Sequence, residues 1–232
     1  MDDEARDSPK ALTVDLQKLL HFFDEAPASS RRHATAVVGV AGEDVGIALL
    51  SHYLAGCGWT VRALPGPCTQ GSQAGVRLDR WIRAVKGRSA RLYQVEVKNW
   101  SAHAIGGSRL PISATPRQVA QFKRDCWGQE WDGRTFRKGS VRKVLTPMRP
   151  PDPALPVHPL VCFWSALHPT GAKAPFFAQK VHKGKFRRVW VFSMSAYLRA
   201  LGKRKLRLNM PETAKRLSWL TTLFGQVRPS TL

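Results

Sequence analysis

Two consecutive β-patterned segments joined by a short turn constrain this chain most. VRLDRWIRAV (76–85) alternates, RLYQVEVKNW (91–100) is rich in β-formers, and KGRSA (86–90) between them reads as a turn. Each segment carries a carboxylate inside a strand pattern: Asp79 in the first, Glu96 between Val95 and Val97 in the second. A strand has period two, so Gln94, Glu96 and Lys98 project from one face. Tyr93, Val95 and Val97 project from the other and read as core. If the segments pair through the turn, Asp79 comes close to Glu96.

The rest of the chain surrounds this pair with an α/β pattern. KALTVDLQKLLHFFD (10–24) has Leu12, Leu16, Leu19, Leu20 and Phe23 at helical spacing, so a leader helix is expected, with a linker after it. A second helix begins near Gly42, carries Val45, Ala48, Leu49, His52 and Tyr53 on one stripe, and ends at Gly56 and Gly58. WTVRALPG is a short strand closed by Pro65-Gly66. Beyond the strand pair come a loop (101–116) and a helix starting around Pro116 that carries Gln118. Strands are expected at 141–148 and 160–167, and a hairpin over 176–193 turning at Lys183-Gly184-Lys185. Helices close the chain near 194–201 and 211–225. These segments group into a leader and linker (1–34), a core (35–150) and a basic C-terminal extension (151–232) that completes the sheet or binds nucleic acid.

Charge narrows the partner. Of 232 residues, 37 are Lys or Arg and 16 are Asp or Glu, for a net charge of +21. Residues 1–34 hold seven acidic and five basic side chains; residues 35–232 hold nine and 32. A body this basic calls for a polyanion, and nucleic acid comes first because every neutralised phosphate releases counterions. DNA is the expected partner, although charge does not separate it from RNA. A membrane is not expected: no apolar run approaches ~18 residues, and there is no basic amphipathic helix or acylation signal. Met1–Asp7 is acidic and lacks the basic-then-apolar order of a secretory signal, so a cytoplasmic protein is expected. Cys57, Cys68, Cys126 and Cys162 form no C-x-x-C pair, which argues against a zinc knuckle and for idle thiols in a reducing compartment.

The carboxylates point to chemistry. Two of them held close repel, and one pKa rises. A divalent cation removes the conflict, and Mg²⁺ usually takes one or two carboxylates with waters and phosphate oxygens. Lys98 can orient or deprotonate a water, or stabilise transition-state charge. Such a set fits phosphodiester hydrolysis. Gly42-Glu43 on a helix, Asp79 on one strand and Glu96-Val97-Lys98 on the next resemble the PD-(D/E)XK nuclease superfamily over about residues 42–130, with Leu78 in place of the motif's proline. The resemblance implies a restriction-endonuclease-like αβββαβ core with a mixed central sheet, and DNA cleavage dependent on Mg²⁺, for which Mn²⁺ can substitute. It implies Asp79, Glu96 and the Val97 carbonyl as metal ligands, Lys98 acting on the attacking water, and Glu43 supporting the metal. Gln118 resembles a supporting polar residue of some branches. Many such enzymes are dimers that cut two strands symmetrically, and a homodimer is compatible with the resemblance. The competing reading is structural. Asp79, Glu96 and Lys98 would form a salt-bridge cluster with Arg77 or Arg80, and Glu43 would be a first-turn acid, a role that Asp44 serves equally well.

Two basic runs are candidates for nucleic-acid contact. Lys180, Lys183, Lys185, Arg187 and Arg188 surround the expected hairpin and interleave with Phe176, Phe177, Phe186 and Trp190. Lys203, Arg204 and Lys205, flanked by Arg199 and Arg207, form a second run near a helix end. Two other functions compete with the nuclease: a nucleic-acid-binding module on an inactive nuclease-like core, and an interaction protein that docks an acidic partner. The intact Asp79, Glu96 and Lys98 favour the nuclease over the module.

Overall fold

The computed structural model describes residues 11–24, 41–66, 78–98, 117, 144–164, 166, 174–181 and 185–224. In chain order the elements are β1 (Ala11–Asp15), α1 (Leu16–Asp24), α2 (Glu43–Gly56), β2 (Thr60–Pro65), β3 (Arg80–Lys86) and β4 (Ser89–Lys98). They continue with β5 (Val157–Phe163), β6 (Phe176–Lys180), β7 (Arg188–Ser193), α3 (Met194–Leu201), β8 (Lys205–Asn209) and α4 (Pro211–Phe224).

The chain is α/β, with a mixed six-stranded sheet in the order β2-β3-β4-β5-β7-β6 and a separate β1-β8 ribbon. β2, β3 and β4 form an antiparallel meander. β5 runs parallel to β4 and β7 parallel to β5, while β6 is antiparallel to β7. Apolar side chains cover both faces of this sheet. On one face Tyr93, Val95, Val97, Leu160 and Phe192 pack with Leu49, Leu50 and Leu54 of α2, Tyr197 and Leu198 of α3, and Leu206 and Leu208 of β8. On the other, Trp81, Leu92, Val161, Phe163 and Val191 pack with Val144 and Met148. A strand buried on both sides reads as an unbroken apolar run, as Leu160–Phe163 does.

Two expectations are corrected. Residues 10–24 are not one helix. Ala11–Asp15 pairs with β8, and the Asp15 carboxylate accepts the amides of Gln17 and Lys18 at 3.1 Å each, so the helix starts at Leu16. The 141–148 strand is not formed over its described part: Val144 and Leu145 are helical, and irregular chain follows to Pro150. The basic run follows the end of α3, as expected from the sequence. Gly202 turns the chain with φ +61°, and Lys205–Asn209 then form a strand whose Leu206 and Leu208 face inward.

Two histidines couple this packing to pH. Burial holds both His52 and His158 below the usual imidazole pKa of 6.5, with Lys203 and Arg91 respectively adding to the effect. A depressed folded-state pKa contributes stability above the unfolded value, and that stability is lost as pH falls below about 6.5. Denaturant unfolding at pH 7.5 and pH 5.0 is expected to show lower stability at pH 5.0. The difference is expected to shrink in His52→Gln and His158→Gln.

Candidate functional site

The site begins with a turn. β3 and β4 are joined through Gly87 and Arg88, and Gly87 has φ +56°, the left-handed value that a two-residue hairpin asks of a glycine. That turn sets Lys86 opposite Ser89 and, six residues on, Arg80 opposite Val95. The paired register ends there, and Asp79 follows at the end of the ladder beside Val95 and Val97. A slip of one residue would turn either carboxylate to the wrong face.

Where the β3 ladder ends, the Asp79 side chain continues it. Asp79 N–H donates to the Val95 carbonyl at 3.1 Å, and its Oδ2 accepts the Val97 N–H at 2.6 Å. A strand residue directs N–H and C=O to the same neighbour, so the Val97 carbonyl also faces this side. Glu96 is only 2% exposed and Asp79 is half-buried. The Asp79 charge reaches beyond the pair. Burial first, then that charge, pushes the Cys162 thiol well above its usual pKa.

Arg80 ties Glu43 to this end of the sheet. Its Nη1 donates to the Asp79 carbonyl at 3.0 Å and lies 3.2 Å from Glu43 Oε1, while Nη2 is 4.0 Å from Glu212. Asp44 has a different task. It is buried, and its Oδ2 accepts the Thr213 N–H at 2.8 Å, which anchors the first turn of α4. Five of the six described carboxylates of residues 35–232 therefore gather at one end of a strongly basic protein: Glu43, Asp44, Asp79, Glu96 and Glu212.

The face that carries Gln94 and Glu96 is covered as fully as the opposite one. Gln94 is buried, and its Nε2 donates to the carbonyls of Val144 and of Thr146, the latter at 3.0 Å. Lys98 ends β4 with its Cα opposite Phe163. Gln118, Lys183, Ser101 and His103 lie outside the described residues.

The two basic runs sit in different places. Val97, Cys162, Phe192 and Phe176 are level across four strands, and Lys180 pairs with Arg188 four residues further from the carboxylates. The exposed Lys180, Lys185, Arg187 and Arg188 thus cluster about the Lys180–Arg188 pair, ~10 Å along the strands from Glu96 and on the far sheet edge. Exposed Lys203, Arg204 and Lys205 instead lead into β8, whose far end meets α4 beside Arg80.

These residues suit a hard divalent cation. The Asp79 and Glu96 carboxylates and the Val97 carbonyl are all oxygen donors, and Mg²⁺ asks for no more than one or two carboxylates from protein. Among the described residues no group of three or more His, Cys, Asp or Glu is arranged to hold a metal, so the donor set rests on that pair.

Arg80 as the link to Glu43, Asp44 as an anchor for α4, and Glu212 as a partner of Arg80 lay outside sequence reasoning in these roles. So did Gly66, which the sequence marks only as part of a Pro-Gly turn. A Cβ on Gly66 would run into the carbonyls of Leu78 and Asp79. Gly66→Ala is expected to displace Asp79 and lower site function at least ~10-fold with a folded core retained, by analogy with the large effects of small misplacements. Activity and far-UV circular dichroism of the variant, measured together, check this.

No family model, characterised protein or solved structure matches the chain.

Proposed function

We propose that the protein is a Mg²⁺-dependent nuclease of PD-(D/E)XK type that hydrolyses phosphodiester bonds in DNA. The observation that carries the reading is the Asp79 carboxylate seated on the Val97 amide, next in sequence to the buried Glu96. The architecture supports it: a helix, a three-stranded antiparallel meander and then a strand parallel to the third are compatible with an αβββαβ core. The gathering of acids at one end of a +21 chain supports it too, since repulsion among them needs a counter-charge.

In this reading Asp79, Glu96 and the Val97 carbonyl hold the metal. A bound Mg²⁺ would lower the pKa of a water and neutralise charge on the scissile phosphate. The chain's own part is positioning. The Val97 N–H fixes the Asp79 carboxylate, the apolar surroundings keep bulk water from Glu96, and Arg80 holds Glu43 beside the pair. Lys98 is assigned to the attacking water. The Lys203–Lys205 run, which leads toward this end of the molecule, is the preferred track for the DNA backbone over the distant Lys180–Arg188 cluster.

One observation favours a second reading. Glu96 is almost fully covered, which suits a nucleic-acid-binding module on an inactive core. The two part on a cleavage panel of labelled single-stranded, duplex, flap and junction DNAs, with RNA alongside, in Mg²⁺, Mn²⁺ or EDTA. The nuclease predicts metal-dependent products that vanish in EDTA. Tight, salt-sensitive binding without products in any metal would establish the module instead.

A further inference from the structure

Between α2, β2 and β8 lies a cleft of about 630 Å³. That volume falls within the ~300–1,000 Å³ of small-molecule sites. Its origin is local. α2 turns Ala48, Ser51 and Ala55 to this side at helical spacing, and these short side chains leave the space open. β2 is the end strand of the large sheet and β8 belongs to the small one, so no strand bridges the gap.

The lining is divided. Val61 and Leu64 from β2 and Leu208 from β8 supply apolar walls. Arg80, Arg207 and Asn209 contribute cationic and amide groups, and Asp44 and Glu212 carboxylates, beside the start of α4. The charge of Arg80 is answered by Glu43 and Glu212. Arg207 is exposed and has no acidic partner among the described residues. Ser51 stands seven residues along α2 from Asp44, which is ~10 Å away. Beside it, His52 gives its Nδ1 to the Tyr197 hydroxyl at 2.6 Å and keeps its other ring nitrogen for a ligand. An unanswered cation, apolar walls and a neutral polar pair match a molecule with a phosphate at one end and a flat, hydrogen-bonding ring at the other. Inorganic phosphate alone would leave the walls unused.

We propose that this cleft binds a nucleoside monophosphate unit, with the phosphate at Arg207 and Asn209 and the base between β2 and β8, reaching toward Ser51 and His52. Arg80 lines the cleft and also donates to the Asp79 carbonyl, so the unit lies next to the carboxylate pair. As a substrate subsite this rests on the nuclease reading; binding itself needs no metal. The unit comes either from a free nucleotide or from a nucleotide drawn out of a strand.

The test is calorimetric titration of the full chain in EDTA with a deoxynucleoside 5′-monophosphate, the nucleoside and inorganic phosphate. The nucleotide is expected to bind at least ~10-fold more tightly than either part. Arg207→Gln is expected to weaken the nucleotide ~10-fold and leave the nucleoside unchanged, and Ser51→Trp, which fills the cleft, to abolish both. Should Ser51→Trp fail to fold, Arg207→Gln at an exposed strand position still decides. Nucleotide binding no tighter than phosphate, or equal in Arg207→Gln, overturns the proposal. Displacement of the nucleotide by single-stranded DNA but not duplex assigns the strand-borne source; no displacement by either assigns the free nucleotide. Nucleotide binding in a protein that cleaves nothing would sink the nuclease reading and leave this site standing.

Discussion

Glu96→Gln is expected to cut metal-dependent cleavage by ~10²–10³-fold or more while leaving the unfolding midpoint unchanged or higher. The two halves of this result have separate causes. Glu96 is 2% exposed, and burying a carboxylate costs several kcal/mol of desolvation even where a partner offsets part of it. Glutamine keeps the shape and removes the charge, so the fold loses a cost and the site loses a metal ligand. Functional groups that disfavour the fold are common where activity demands them. The salt-bridge reading predicts the reverse. Removing one partner of a buried ion pair typically lowers stability by ~3–5 kcal/mol. Urea denaturation and single-turnover cleavage on the same preparations separate the cases. A variant that unfolds earlier and still cleaves at the wild-type rate would assign Glu96 to structure.

The second large effect concerns how closely α2 lies on β4. A Cβ on Gly46 would fall 2.6 Å from Val97 Cγ1 and 3.4 Å from Met194 Sδ. Val97 is β-branched and stiff, so it cannot swing aside cheaply. Gly46→Ala gains ~1 kcal/mol of helix propensity and is nevertheless expected to destabilise by a net ~1–3 kcal/mol through overpacking. Val97→Ala alone opens a cavity and is expected to cost about as much. Together they are expected to cost at least ~1 kcal/mol less than their sum, because each supplies the volume the other displaces. A thermal-denaturation double-mutant cycle measures the coupling. Strict additivity would mean that the helix shifts bodily, with Val97 uninvolved. Val97 also donates the N–H that holds Asp79, so Gly46→Ala is expected to lower cleavage as well.

Local chemistry determined a good deal of this molecule. The KGRSA turn, the alternation on either side of it and the start of a helix at Glu43 are encoded within a few residues of where they act. From them followed the β3–β4 pairing. The inward placement of Tyr93, Val95 and Val97 followed from period two alone. Tertiary structure decided the rest. Leu12 and Leu16 share a helical spacing, yet Leu12 lies on a strand because β8, nearly 200 residues away, offers an edge to pair with. Lys205–Asn209 hides its alternating Leu206 and Leu208 inside a run of cations, and only packing beneath α2 reveals them as core. Asp44 and Glu43 are adjacent acids with the same helix-start preference. Thr213, 169 residues on, takes one, and Arg80 takes the other. Alternation also shows which residues share a face without showing what covers it. Gln94 is buried where Val144 and Thr146 supply carbonyls for its amide. Turn geometry and strand period depend on neighbours in sequence, whereas burial, pairing and the choice of ion-pair partner depend on groups that meet only when distant segments pack.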